Sequence, residues 1–312
     1  MSLNLQSQRR KIHNSLKDEA KAQGTSVNDL RKQYIFTIFL RRIFNTSNGQ
    51  WLLLGGNALI LRTGGGRYTQ DIDLARAAPF SDGRTVQKEL QLLVDRETSD
   101  DLFSFDIHKI EMRTNHVDDF GYRTPTAKAS VTAYLGTQVF DRFSLDIVQQ
   151  RRLQAPVEWI PLRSVIQHET LKDLPQVPVV PLESHLADKI CAMYEQHKGG
   201  PSTRMRDLAD IVRIVQQLSF NAGVLQEKLS HERQRREMIL PLSFESPGTN
   251  WETGFPKAAK TFNGYPPELH TLKASLEYAG VCLTPVLAGS RKDGIWKPES
   301  QQWVDSSLPT SL

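Results

Sequence analysis

Two aspartates one residue apart, in the run Asp71-Ile72-Asp73-Leu74, constrain this chain more than any other feature. In a strand, successive side chains point to opposite faces, so both carboxylates fall on one side and Ile72 and Leu74 on the other. Two carboxylates about 4 Å apart repel by ~4 kcal/mol at an effective dielectric of ~20. Such a face needs a cation, a shared proton or full hydration. It is either a solvated edge strand or a pair of ligands for a divalent cation used in phosphoryl chemistry.

The neighbouring residues favour the second reading. A strand-like run over 51–54 ends in Gly55-Gly56, and a short apolar segment, 58–61, follows. Glycines where a strand hands over to a helix let backbone N–H groups approach a phosphate, at a helix end that attracts anions. Gly64-Gly65-Gly66 reads as a flexible loop leading into Arg67, whose guanidinium suits a phosphate fork.

Upstream, the pattern predicts a helix over 4–23 and a second one opened by a capping box, Ser26 with Asp29. Downstream it predicts a loop over 77–84, a helix over 86–94, and strands over 102–110, 127–135 and 138–148. Gly136-Thr137 makes a hairpin of the last two. This order describes a small mixed sheet with helices packed on it. In the longest strand Asp146 points away from Leu145 and Ile147, so a third carboxylate on an adjacent strand would complete a site for two divalent ions.

After Arg152 the texture changes. Pro156, Pro161, Pro175, Pro178 and Pro181 punctuate a stretch that reads as a wrapping connector. Helical patterns then cover 182–198, 204–218, 222–239 and 267–278, with a loop-rich segment over 243–265. The expected organisation is α+β. A mixed sheet with flanking helices spans 1–160, a connector and helical bundle 161–290, and a loosely held tail 291–312.

Two charges sit oddly in the helical half. At 100° per residue Leu182, Leu186, Ile190 and Met193 form one stripe, and Lys189 falls inside it. A lysine there must snorkel out or meet an anion. On the next helix Asp207 lies at the edge of the stripe Leu208, Ile211, Val215 and Leu218, and Asp210 borders the same face. Lys189 with Asp207 is either a structural ion pair between two helices or a lysine aimed at a nucleoside triphosphate and oriented by the aspartate.

With 312 residues and a net charge of +4, the chain is long enough for two domains, and its mild basic excess is compatible with an RNA, DNA or nucleotide partner. Two cysteines are too few for a disulfide scaffold or a cysteine-based zinc site. No apolar run approaches the ~18 residues of a membrane span, and the basic N-terminus lacks the core of a secretory signal, so a cytoplasmic location is expected. Metalloprotease histidine spacing, a Walker glycine loop and a Gly-x-Ser-x-Gly elbow are all missing.

Together these residues resemble the nucleotidyltransferase toxins of type IV toxin–antitoxin systems, the AbiEii/AbiGii and MenT-type proteins of the DNA polymerase beta-like superfamily. The resemblance covers roughly residues 26–220. It is carried by Gly55-Gly56, by Arg67-x-Thr69-x-Asp71-Ile72-Asp73-Leu74, by Leu145-Asp146-Ile147, by Ala187-Asp188-Lys189-Ile190 and by the run from Ser202 to Ile211. It implies that Asp71, Asp73 and Asp146 hold Mg²⁺ or Mn²⁺ and that Lys189 and Asp207 are essential to transfer. It also implies that Gly55, Gly56, Arg67, Thr69, Lys189 and Asp210 contact the nucleotide. The chain departs from the pattern in having Gly55-Gly56 where many members have Gly-Ser. Its turn is extended by three glycines, and Arg206-Asp207 replaces a lysine–aspartate pair.

The implied activity is transfer of a nucleoside monophosphate from a nucleoside triphosphate to an RNA acceptor, with the tRNA 3′ end foremost and a cognate antitoxin protein as partner. Arg41 and Arg42, and Arg233, Arg235 and Arg236, are candidates for steering a phosphate backbone. Two alternatives stand beside it: the same chemistry on a small-molecule or protein hydroxyl, and an inactive binding module that keeps the fold.

Overall fold

The computed structural model describes residues 2–46, 49–96, 102–114, 124–149, 156–168, 171, 173–197 and 199–305. Its contacts divide the chain into two units, Met1–Arg62 with Tyr68–Val180, and Thr63–Arg67 with Pro181–Leu312.

The first unit opens with α1 (Ser2–Gln23) and α2 (Val27–Thr46). The Ser26 hydroxyl accepts the Asn28 N–H at 3.2 Å and so caps the helix, whereas Asp29 takes the side-chain amide of Gln70 at 3.1 Å instead of turning back to Ser26 as the expected capping box requires. Residues 33–44 of α2 are buried on every side, as a helix apolar over most of its surface must be. There follow β1 (Trp51–Leu53), α3 (Gly55–Thr63), β2 (Asp71–Arg76) and α4 (Gly83–Val94), the last capped by Asp82, which accepts the Thr85 N–H. Then come β3 (Phe103–Ile107), β4 (Glu111–Thr114), β5 (Thr126–Leu135), β6 (Gln138–Gln149), β7 (Glu158–Pro161) and β8 (Gln176–Val179).

Among the described residues these strands make one sheet in the order β3-β5-β6-β2-β1-β8-β7, with β4 also paired to β5. One face carries Ile72, Leu74, Phe143, Leu145 and Ile147, all buried. Phe36 and Phe39 of α2 meet Phe143 edge-on, with ring centroids 5.0 and 5.3 Å apart. Each such pair adds about 0.5–1.5 kcal/mol beyond the area it buries. The opposite face carries Asp71, Asp73, Ser144 and Asp146.

The described part of the stretch expected to be a connector is instead part of the sheet. β8 runs parallel to β1 at Leu53↔Val179 and antiparallel to β7. Val177 and Val179 have no exposure, and the Val180 N–H donates to the Leu53 carbonyl at 3.0 Å. The first unit therefore extends to Val180, beyond the boundary expected near 160.

The second unit is helical: α5 (Leu182–Tyr194), α6 (Met205–Gln217), α7 (Ala222–Arg235), α8 (Trp251–Ala259) and α9 (Leu272–Leu287), with a 3₁₀ turn at Pro267–Leu269. Short paired strands β9 (Gln196–His197) and β10 (Gly200–Pro201) separate α5 from α6. α8 lies in the segment expected to be loop. Its Gly254 is a contact point, since a Cβ there would stand 2.2 Å from the Met205 sulfur of α6.

The expected loose tail is corrected as far as residue 305. Residues Ile295–Lys297 and Gln302–Val304 form a hairpin, β11 and β12, whose Trp296 is 1 % exposed and donates its indole N–H to the Val215 carbonyl of α6 at 2.7 Å. Residues 306–312 lie outside the described part.

Candidate active site

The carboxylates of the first unit are assembled by strand register. β2 and β6 are parallel neighbours with Asp71 opposite Ser144 and Asp73 opposite Asp146. Register partners share a face, and neighbouring strands lie about 4.8 Å apart. Asp71, Asp73 and Asp146 are therefore on the same face, opposite the buried Ile72, Leu74, Leu145 and Ile147. All three are half-buried. Among the described residues, however, no three acidic, histidine or cysteine side chains converge closely enough to hold an ion as they stand. The Asp146 carboxylate is turned to Lys128 of β5, whose Nζ lies 3.1 Å from it.

The start of β2 is fixed from α3. The Asn57 side-chain amide donates to the Asp71 carbonyl at 2.8 Å and accepts the Thr69 hydroxyl at 3.1 Å, while Gln33 donates to the Thr69 carbonyl at 2.9 Å. Thr69 is 2 % exposed. With its hydroxyl donated to Asn57, it positions the start of the strand. Asn57 itself was not singled out from the sequence, where nothing but its place after Gly55-Gly56 marks it.

Both glycines are dictated by close approach. A Cβ on Gly55, which has φ +59°, would stand 2.0 Å from Asp73 Oδ2, and one on Gly56 would stand 2.2 Å from Thr69 Cγ2. Asp73 thus lies against the N-terminus of α3, where the helix dipole favours a negative charge. Gly55→Ala should force the carboxylate aside and add left-handed strain of roughly 1–2 kcal/mol. We expect a lowered unfolding midpoint and transfer reduced by tenfold or more, measured on the same preparation; unchanged transfer would show that Asp73 need not sit there.

In the second unit, Lys189 of α5 is 4 % exposed and meets two carboxylates of α6, Asp210 at 2.6 Å and Asp207 at 3.1 Å. Asp207 also accepts from Arg204 Nε at 2.6 Å. Arg204, not Arg206, is therefore the arginine paired with Asp207, and Arg206 is exposed. A guanidinium nitrogen of Arg67 lies 3.8 Å from Asp210, and the group stands 5.9 Å from the Phe262 ring centre. The expected flexible loop is laid against a side chain: Cβ atoms on Gly65 and Gly66 would come within 3.3 and 3.1 Å of the Arg213 guanidinium. Nε of Arg67 and of Arg213 are buried without a hydrogen-bond acceptor among the described residues.

Burial pushes the Lys189 ammonium toward neutrality, but Asp207 and Asp210 more than reverse this and hold its pKa above the ordinary lysine value. Burial likewise raises the Asp207 carboxyl, and Lys189 and Arg204 more than reverse it, so its pKa lies below the usual carboxylate range. Stability from the depressed Asp207 is fully present above about pH 4 and lost as pH falls through its folded value. Stability from the raised Lys189 is fully present below about pH 10 and lost as pH rises through its folded value. The stability gap between the wild type and Asp207→Asn should accordingly be constant from about pH 5 to 9 and narrow below about pH 4, in urea unfolding followed against pH. A gap that is flat down to pH 3 would contradict the ion pairing.

The residues expected to steer a phosphate backbone are mostly engaged elsewhere. Arg42 is 6 % exposed and donates to the carbonyls of Val94 and Phe103, and Arg41 is buried. Arg235 pairs with Glu232 and Asp188, and Arg236 with Asp188 and Glu195. Of this group Arg233 is the one that stands exposed.

The family described as nucleotidyl transferase AbiEii toxin, type IV toxin–antitoxin system, matches residues 38–278. The chain belongs to this family. As an AbiEii toxin it is a nucleotidyltransferase, and both groups of side chains described above fall within the matched span. A comparison with curated proteins finds no match. Among solved structures it is similar to MenT4, the nucleotidyltransferase toxin Rv2826c of Mycobacterium tuberculosis H37Rv. The identity is 15 %, the TM-score 0.48, and 91 % of this chain and 99 % of that one are covered. It is also similar to JHP933 of Helicobacter pylori, at 12 % identity and a TM-score of 0.47, over 86 % of this chain and 94 % of that one. The family match, not these distant likenesses, places the AbiEii assignment. No helix among the described residues is long and apolar enough to cross a membrane.

Proposed function

We propose that this AbiEii toxin transfers a nucleoside monophosphate from a nucleoside triphosphate to a hydroxyl at an RNA end, with Asp71, Asp73 and Asp146 holding Mg²⁺ or Mn²⁺. The observation that carries the reading is the pairing of Asp73 with Asp146 across β2 and β6, which puts three hard oxygen donors on one face. The donor set and register fit a divalent cation; what remains is for Asp146 to leave Lys128. Bound there, the cation would activate the attacking oxygen and stabilise the departing pyrophosphate.

The second unit carries an excess of positive charge of its own. Lys189, Arg67, Arg204 and Arg213 surround two carboxylates, Asp207 and Asp210, leaving an excess of cations. The buried, acceptor-less Nε groups of Arg67 and Arg213 suit phosphate oxygens. In this reading Asp207 and Asp210 hold Lys189 in one geometry and Arg67 binds the triphosphate. A cognate antitoxin is the protein partner and the cytoplasm the place of action.

The tRNA 3′ end is the acceptor to test first, as the family resemblance implies. The engagement of Arg41, Arg42, Arg235 and Arg236 in internal contacts favours keeping a second acceptor class in view, a small-molecule or protein hydroxyl. The test is incubation of the purified chain with each α-labelled nucleotide, a divalent cation and either total RNA, an aminoglycoside or a protein extract. Label in the RNA band, sensitive to removal of the cation, is expected. Label confined to another acceptor would replace the RNA reading, and no transfer to any of them would remove the proposal.

A further inference from the structure

The register that aligns Asp73 with Asp146 continues outward across the same level of the sheet. Asp146 stands opposite Lys128 of β5, and Lys128 stands opposite Glu111 of β4. Directly opposed residues have Cβ atoms about 4.5–5.5 Å apart, so an ammonium on a four-carbon stem reaches either neighbour. Its Nζ is 3.1 Å from Asp146 Oδ2, with the two side chains 33 and 35 % exposed, and Glu111 is exposed. The next row inward, Asp71 with Ser144 and Ser130, has no such cation in register.

We propose that Lys128 is a resident counter-ion of the carboxylate face, displaced from Asp146 onto Glu111 when a divalent cation binds. Three carboxylates sharing one face repel whenever no cation is present, and the Lys128 ammonium offsets this at the Asp146 end. An ammonium and a divalent ion compete for the same carboxylate oxygen. Glu111, one strand further out, receives the ammonium and keeps it off the bound ion. This also accounts for three carboxylates sharing a face without closing on a common point. Lys128 is thus a positioning residue that sets how tightly the face holds its cation. The inference rests on the proposed divalent-cation reading of that face.

The test is titration of the full chain with Mn²⁺, free Mn²⁺ being read by electron paramagnetic resonance, without nucleotide. Lys128→Met should tighten binding by about three- to tenfold, the range expected from losing a partly exposed ion pair and a like charge. Lys128→Gln should do the same should the methionine variant fold poorly. Glu111→Gln should weaken binding about two- to threefold in the wild type and have no effect in the Lys128→Met background. An unchanged or weaker affinity in both Lys128 variants, or an equal Glu111→Gln effect in both backgrounds, would overturn the inference. If the wild type binds Mn²⁺ and Asp73→Asn abolishes it, such a result sinks the role of Lys128 alone. If the wild type binds none, the cation reading falls with it.

Discussion

Asp73→Asn is expected to lower nucleotidyl transfer by about 10³-fold while the protein stays folded. Asp73 is the carboxylate held on both sides, beside Asp146 by strand register and against Gly55 by close packing. Several kcal/mol of transition-state stabilisation depend on a metal ligand of this kind, and each ~1.4 kcal/mol is tenfold in rate. Asparagine is nearly isosteric, so the packing against Gly55 survives and only the charge is lost. Losing that charge relieves repulsion from two like charges and gives up its attraction to the α3 N-terminus, so the unfolding midpoint without cation should stay close to that of the wild type. Asp71→Asn should behave the same way. A variant retaining more than about a tenth of wild-type transfer, with pyrophosphate release measured beside label incorporation, would mean that the reaction does not run on this face.

Lys189→Met should be the most destabilising of the substitutions considered. Among the described residues it leaves Asp210 with Arg67 at 3.8 Å and the charge of Arg213, and Asp207 with Arg204, both carboxylates being buried. Breaking a buried ion pair by removing one partner costs about 3–5 kcal/mol. Removing one of the stranded charges, in Lys189→Met with Asp210→Asn, should recover a large part of that loss. Transfer separates the structural role of the lysine from the functional one. Measured against Asp210→Asn alone, the double variant should remain inactive although its stability returns. Recovery of transfer together with stability would reduce Lys189 to a tie between α5 and α6.

The sequence made the Asp71–Asp73 face legible because alternation within a strand is a local property. Ile72 and Leu74 on one side, and Asp146 between Leu145 and Ile147, specify their faces before any pairing is known. Which strands are neighbours is not local. The β5–β6 hairpin could be read from Gly136-Thr137, but the match of Lys128 to Asp146 depends on its register, and that of Glu111 to Lys128 on a short β4 that was not read as a strand. Lys189 was conspicuous as a charge inside an apolar stripe, whereas Arg213 lies beyond the matching run and meets Gly65 and Gly66 through folding alone.

Two of the corrected segments share a cause. Proline and glycine mark breaks in local pattern, yet Pro178 sits in β8 opposite Trp159, and Gly254 and Pro256 sit within α8. In each case tertiary packing supplies what the local sequence withholds: burial of Val177 and Val179 in one, contact of Gly254 with Met205 in the other. Arginine-rich helix faces misled in the opposite sense, because Arg42 and Arg236 serve as internal donors to carbonyls and carboxylates.

The Trp296 plug has a consequence for the gene as much as for the protein. The indole is anchored on the backbone of the same helix that presents Asp207 and Asp210, and the backbone N–H of Trp296 donates to the Phe220 carbonyl. A reading frame cut short ahead of codon 296 would leave a tryptophan-sized void under that helix, with every proposed catalytic codon still intact. Nonsense alleles ahead of that codon are therefore expected to cost stability although they spare the site.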